Sequence, residues 1–327
     1  METSRTDTWS ERLGDWVAGL GGNEEGLPRT HLHRRFSAEA FRSLPGFAEA
    51  ADLERFIARY PAPIMAVGGP CWDETAGLRD RFLIRPEQAL KYYAAGATLE
   101  LDHADLFSPE LARVVGTLAG ILRLPAGVTG KAIVYASPSS SGFPAHFDAY
   151  YNFVFHMGGV KRWNLWNNDN ATDPVVHYEV ETYPFVPPNL APYWQGTPTP
   201  TREPPMVEEL SAGSLLFLPR GIWHETAASG YSLSINITYS IPTVADLVST
   251  AIARALLSHP HFRSTPLRLD RPAASLAEAA RVLGALPPEV LAEAQGEGQD
   301  LYQIFLRGYI TNFREHLAGV MDEAKRK

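Results

Sequence analysis

The amino-acid sequence predicts a mainly β protein with flanking helices, and three features carry that expectation. Between Lys131 and Ser240 the runs KAIVYAS, AYYNFVFHM, VKRWNLWN, GSLLFLP and YSLSINITYS are β-branched and aromatic, with Gly, Pro, Asn and Ser between them. Short strands at this spacing belong to a sandwich or barrel. On either side of them, apolar residues recur at helical rather than alternating spacing. The chain of 327 residues, 45% hydrophobic and 20% charged, has ample material for one sizeable core.

Taken in order, residues 1–36 are polar and mixed, an N-terminal extension with a short helix. From Ser37 to Tyr60 the pattern is helical, broken at Pro45-Gly46. APIMAVGG (62–69) reads as a short buried strand ending in glycines. PEQALKYYAAG is a helix stopped by Gly96, ATLELDHAD a strand, and SPELARVVGTLAGILRL a helix opened by Ser108-Pro109. The core domain is expected over 37–240. Within it, residues 167–210 form a long interruption with eight prolines between Pro184 and Pro205, expected to be a structureless lid insertion. After Pro242 the strands end, and 241–327 is expected to be a C-terminal α-helical region. There Leu306, Ile310, Phe313 and Leu317 share one helical stripe, suited to packing on the barrel or on a second subunit as a homodimer.

Composition narrows the function classes. Cys71 is the only cysteine, which excludes an intrachain disulfide and a cysteine-based metal cluster. The start METSRTDTWSERLGDW lacks the basic-then-apolar order of a secretory signal, and no apolar run approaches the ~20 residues that span a bilayer. A cytoplasmic protein without a membrane partner is therefore expected. The formal charge of −8 argues against a nucleic-acid surface.

The chemistry-bearing residues lie in SGFPAHFDAYYNFVFHMGGVKRWNLW, Ser141 to Trp166. On a strand, residues i and i+2 share a face, so His146 and Asp148 project together about 7 Å apart. Imidazole plus carboxylate, completed by a second histidine, is the facial set that holds a metal ion while leaving positions open. His224, after the Pro-Arg-Gly turn of GSLLFLPRGIWHETAASG, supplies that histidine from a distant strand. An H-x-D triplet alone is weak, and most histidines are surface or core residues. His31, His33, His103, His177, His259, His261 and His316 keep that reading, and His156 is read as structural. Lys161 shares a face with Trp163 and Leu165, where an ammonium either meets an anion or snorkels to solvent. In SLSINITYS, Ser232, Ser234, Asn236, Thr238 and Ser240 share one face, which either meets solvent or lines a wet cavity.

Together GFPAHFDAYYNFVFHMGGVKRWNLW and GSLLFLPRGIWHETAASGYSLSINITYS resemble the jumonji-C (JmjC) oxygenases, nearest the cupin-like branch of the ribosomal oxygenases. AAGATLELDHADLFSPELARVVGTLAGIL resembles the entry to that branch's barrel, and the likeness runs from about Ala38 to Leu257. It implies a double-stranded β-helix (cupin or jelly-roll) core using Fe(II), O2 and 2-oxoglutarate. Carried over, His146, Asp148 and His224 match the iron ligands. Lys161 matches the lysine on the distal carboxylate of 2-oxoglutarate. Tyr135, Asn236 and Thr238 match residues lining the same pocket, and Asn152 an asparagine of a related asparaginyl hydroxylase. The implied activity is hydroxylation of a protein or peptide side chain. The alternatives are hydroxylation of a small molecule or natural product, a non-oxygenase metal-binding cupin, and a catalytically inactive binding module. The Pro-rich segment is longer than the family leads one to expect, and the C-terminus is too short for the winged-helix ending of many members.

Overall fold

A computed structural model describes residues 8–20, 27–73, 78–125, 128, 130–263 and 281. The described residues up to Ser240 form one compact unit, apart from Pro125 and Val128, which group with the residues from Ile241 onward in a second.

Eleven strands make up the first unit: β1 (Leu32–Arg35), β2 (Ile64–Asp73), β3 (Leu78–Ile84), β4 (Thr98–Leu101), β5 (Gly130–Ser137), β6 (His146–Phe147), β7 (Tyr151–Trp166), β8 (Tyr178–Glu179), β9 (Met206–Ser211), β10 (Ser214–Leu218) and β11 (Trp223–Tyr239). The main path runs β1-β10-β7-β11-β5-β4-β2-β3, and β6, β8 and β9 branch from it. β7 and β11 do most of the organising. They pair antiparallel from Trp223 opposite Trp166 to Tyr239 opposite Tyr151, and the ladder breaks register between Ser229 and Ser232. Gly159 sits at that break with φ +72°, and a Cβ there would lie 1.7 Å from the Tyr231 carbonyl oxygen. Only glycine fits, and the bulge lets each long strand bend and serve two layers. β10 pairs with the first half of β7 and β9 with the second. β5 pairs with the second half of β11, and β6 meets its start. The result is the double-stranded β-helix core.

Helices close the apolar outside. α1 (Thr8–Trp16), α2 (Ala38–Arg42), α3 (Phe47–Ala50), α4 (Leu53–Arg59), α5 (Pro86–Ala94) and α6 (Pro109–Ile121) precede β5. Ser108 caps α6, its hydroxyl accepting from the Leu111 amide, with Pro109 pre-set in the first turn. The fully buried Phe155 ring of β7 takes edge contacts from Phe41 of α2 and Phe47 of α3, each at 5.3 Å. Truncating such a ring costs about 3–5 kcal/mol. In the second unit α7 (Val244–Leu257) is opened by Thr243 and Asp246, which bond reciprocally as a capping box.

Three expectations need correction. Leu32–Arg35, placed in an N-terminal extension, is a sheet strand paired with β10; HLHRR lacks the apolar alternation that marks a strand, because it lies at an edge. The 167–210 segment is not structureless. It contains β8, three 3₁₀ turns and β9, and it packs Ala171, Tyr178 and Leu190 against Phe147, Trp166 and Trp223. Its prolines fix turns around an apolar cluster of its own. Finally, β3 went unread, since LRDRFLI carries three consecutive charged residues, Arg79, Asp80 and Arg81, which hide any apolar alternation. The Leu306–Leu317 stripe and the dimer it suggested lie outside the described residues. No helix among the described residues is long and apolar enough to cross a membrane.

Candidate metal and co-substrate site

The sheet brings the triad together by register. β6 pairs with β11 so that His146 stands opposite His224. Asp148 follows two residues later, on the same face as His146. Gly142 permits this approach: a Cβ there would lie 1.8 Å from the Thr226 carbonyl oxygen. The two imidazole rings are 4.1 Å apart between centroids. Asp148 Oδ2 lies 4.0 Å from His146 Nε2 and 3.6 Å from His224 Nε2. One ligand atom from each residue falls within 4.8 Å of the others, and all three side chains are buried.

Hydrogen bonding settles which atoms face inward. Nδ1 of His146 donates to the Pro144 carbonyl at 2.7 Å, and Nδ1 of His224 to the Ile222 carbonyl at 2.9 Å. Each ring therefore presents the lone pair of Nε2 to the centre of the triad. Burial and the neighbouring His224 pull the His146 imidazole down to about 3, and burial lowers that of His224 too, so both are neutral ligands near pH 7. Burial opposes ionisation of Asp148, but the His177 hydrogen bond and the adjacent imidazoles outweigh it and hold the carboxyl well below its ordinary range. Two neutral imidazoles and one carboxylate on a common face fit a divalent transition metal such as iron, with positions left over.

The triad opens on a cavity of about 230 Å³ also lined by Lys161, Tyr135, Asn152 and Asn236. Lys161 is 3% exposed. Its ammonium donates to Ser137 Oγ at 3.2 Å and sits 5.6 Å from the centre of the Phe143 ring. Among the described residues no carboxylate pairs with it, and burial pulls it down to about 8. Asn152 Oδ1 and Trp163 Nε1 are buried without a hydrogen-bond partner among the described residues. The polar face of β11 is interior: Ser232, Ser234, Asn236 and Thr238 are all buried. Thr238, expected in the pocket, is not among the residues lining this cavity, whereas Asn236 is. His156 is buried beside the Gly159 carbonyl, away from the triad.

Sequence reading missed His177. Its Nδ1 lies 2.9 Å from Asp148 Oδ1 and its Nε2 3.1 Å from Glu179 Oε1, and Arg81 pairs with Glu179 in turn. Burial would lower this imidazole, but the two carboxylate bonds prevail and raise it to about 9. The signal lay in HYE, whose His177 and Glu179 repeat the i, i+2 spacing of His146 and Asp148.

A JmjC domain model matches residues 122–247. The YxbC protein of Bacillus subtilis is 37% identical over 311 residues, covering 89% of this chain and 93% of its own length. The Dictyostelium discoideum protein named bifunctional lysine-specific demethylase and histidyl-hydroxylase NO66 is 26% identical over 175 residues. That match takes in 52% of this chain and spans 31% of the NO66 protein. Among solved structures, Escherichia coli YcfD superposes with a TM-score of 0.51 at 18% identity, covering 87% of this chain and 70% of that one. YcfD, described as a ribosomal oxygenase, in complex with cobalt and 2-oxoglutarate gives a TM-score of 0.50 at 17% identity, covering 83% of this chain and 67% of that one. At these identities the structures speak to fold alone. The chain belongs to the JmjC-domain family.

Proposed function

We propose that the protein is an Fe(II)- and 2-oxoglutarate-dependent dioxygenase that hydroxylates a side chain of a protein or peptide. The observation that carries this reading is the union, in one cavity, of a facial His146–Asp148–His224 set and a buried ammonium lacking a carboxylate partner among the described residues. A cupin that used its metal for structure or isomerisation has no use for Lys161. The names of the relatives support the class: YcfD is described as a ribosomal oxygenase, and NO66 is named a lysine-specific demethylase and histidyl-hydroxylase.

In this reading His146, Asp148 and His224 hold the iron from one side. When bound, the iron supplies the redox chemistry that couples oxidative decarboxylation of 2-oxoglutarate, to succinate and CO2, with insertion of an O2-derived oxygen into a C–H bond. The chain does the rest. Lys161 Nζ anchors the distal carboxylate by a charge-assisted bond and keeps its proton while doing so. Asn152, Tyr135 and Asn236 offer polar partners to the remaining carboxylate atoms. Phe143 and Trp163 wall off water, which strengthens each of these interactions.

The test is an anaerobic Fe(II) titration followed by 2-oxoglutarate, then admission of O2 with succinate as readout. One iron per chain and iron-dependent succinate formation are expected even without the primary substrate. Stoichiometric iron with no 2-oxoglutarate binding would leave a metal-binding cupin. Candidate peptides are then separated from small molecules by the stimulation each gives and by a 16 Da mass gain on the stimulating one.

A further inference from the structure

In the antiparallel pairing of β6 with β8, His146 stands opposite Glu179 and Phe147 opposite Tyr178. Continuing that register by one residue sets Asp148 against His177. Two i, i+2 pairs, H-x-D on one strand and H-x-E on the other, thus face each other across a two-residue ladder. Their contacts are specific. Asp148 Oδ2 is the oxygen turned toward the two Nε2 atoms, while Oδ1 accepts from His177 Nδ1 at 2.9 Å. Nε2 of His177 is directed to Glu179, which Arg81 holds from the β3 side. Both ring nitrogens of His177 are thereby engaged, Nδ1 by Asp148 of the triad and Nε2 by Glu179 outside it.

We propose that His177 is a positioning residue for the metal centre: its Nδ1–H bond occupies Oδ1 of Asp148 and confines that carboxylate to one ligating oxygen, Oδ2. A carboxylate free to offer both oxygens would fill an additional coordination position. With Oδ1 engaged, the chain contributes three donor atoms and leaves the others for co-substrate. Glu179 and Arg81 act on the metal only through the aim of His177. The inference rests on the metal reading above, and it uses no property of Thr238, Lys161 or the C-terminal region.

The test uses cobalt(II) as a spectroscopic probe of the full chain, with affinity, visible absorption and melting temperature measured on wild type, His177→Ala, His177→Asn and Asp148→Ala. The His177 side chain is 40% exposed, so its removal leaves the fold standing. Loss of an outer hydrogen bond to a metal ligand lowers metal affinity by about 10–100-fold. That loss is expected for His177→Ala, together with an altered ligand-field spectrum and little change in melting temperature. The asparagine amide can reproduce the Nδ1 donor, so His177→Asn should recover most of the affinity and the wild-type spectrum. Affinity and spectrum unchanged in His177→Ala, with binding still lost in Asp148→Ala, overturn the positioning role and leave the metal site intact. Equal losses in the alanine and asparagine variants also overturn it, since donation to Oδ1 is then not what matters. If Asp148→Ala binds cobalt like wild type, the metal reading itself fails, and this role with it.

Discussion

Around the triad, the buried polar atoms that face away from the cavity are met by protein groups: Pro144 and Ile222 carbonyls take the two Nδ1 protons, and His177 takes Asp148 Oδ1. Around Lys161 the pattern reverses. The ammonium has one neutral hydroxyl, and Asn152 Oδ1 and Trp163 Nε1 have no partner among the described residues. Each unmet buried polar atom costs about 1–3 kcal/mol. The triad comes from β6, the residue just after it and β11, and the Lys161 region from β7, which pairs with that same β11, so the contrast lies between adjoining parts of one sheet. The triad is organised by the chain to take one cation. The Lys161 ammonium and the Trp163 N–H call for a group that brings its own negative charge and acceptors.

The comparison breaks most visibly at the metal ligands. A zinc set of several ligands is worth about 10–16 kcal/mol, so each ligand carries several kcal/mol and its loss weakens binding by about two orders of magnitude or more. His146→Ala should therefore abolish stoichiometric Fe(II) binding in an anaerobic titration. The fold should remain cooperative, because His146 lines a cavity rather than fills the core. Unchanged iron affinity in both His146→Ala and His224→Ala would remove the facial assignment.

Lys161 tests the other region. Removing one partner of a buried ion pair costs about 3–5 kcal/mol, which is two to three orders of magnitude or more in 2-oxoglutarate affinity. Lys161→Ala should show that loss while binding Fe(II) like wild type; equal 2-oxoglutarate binding by both proteins would leave Lys161 a buried structural lysine held by Ser137. A pH dependence follows. In the free folded protein this ammonium titrates at about 8, below its ordinary 10.5. Between those values the unfolded chain binds more protons, so the free protein gains stability as pH rises, by up to about 3 kcal/mol. A bound dianion restores the proton. Calorimetry at pH 9 in buffers of different ionisation heat should register proton uptake on 2-oxoglutarate binding, and affinity should fall up to about tenfold per pH unit above 8.

How much of this was legible depended on whether a residue's partner was near it in pattern. His146 and Asp148 announced themselves by strand spacing, and Lys161 by sitting on an apolar face with Trp163 and Leu165. His224 needed the family likeness, because nothing local says that β11 will lie beside β6. His177 escaped because its significance is a cross-strand register between two-residue strands, each too short to be read as strands at all. The segment that carries it looked structureless for a related reason. Its many prolines hide a small apolar cluster built from Tyr178, Leu190 and Trp194, whose members are too widely spaced to form a period. Similarly, β1 lacks alternation because an edge strand buries little of either face.

The smallest effect sharpens the edge of the Lys161 region. Asn236 and Thr238 point the same way from β11, one rung apart, opposite Val154 and Asn152 of β7 respectively. Asn236 lines the cavity, and its Oδ1 accepts from Ser234 Oγ at 2.9 Å; Thr238 is buried one rung beyond the lining. If the cavity ends at Asn236, its truncation removes about one net hydrogen bond, worth about 0.5–1.5 kcal/mol. Asn236→Ala should then weaken 2-oxoglutarate by roughly 2–10-fold. Thr238→Ser keeps the hydroxyl, deletes a methyl group and should leave the affinity within about twofold, with a modest fall in melting temperature from the lost methyl. The two titrations, run side by side with Fe(II) present, place the boundary. A loss in Thr238→Ser as large as in Asn236→Ala would move it one rung deeper and return Thr238 to the binding pocket.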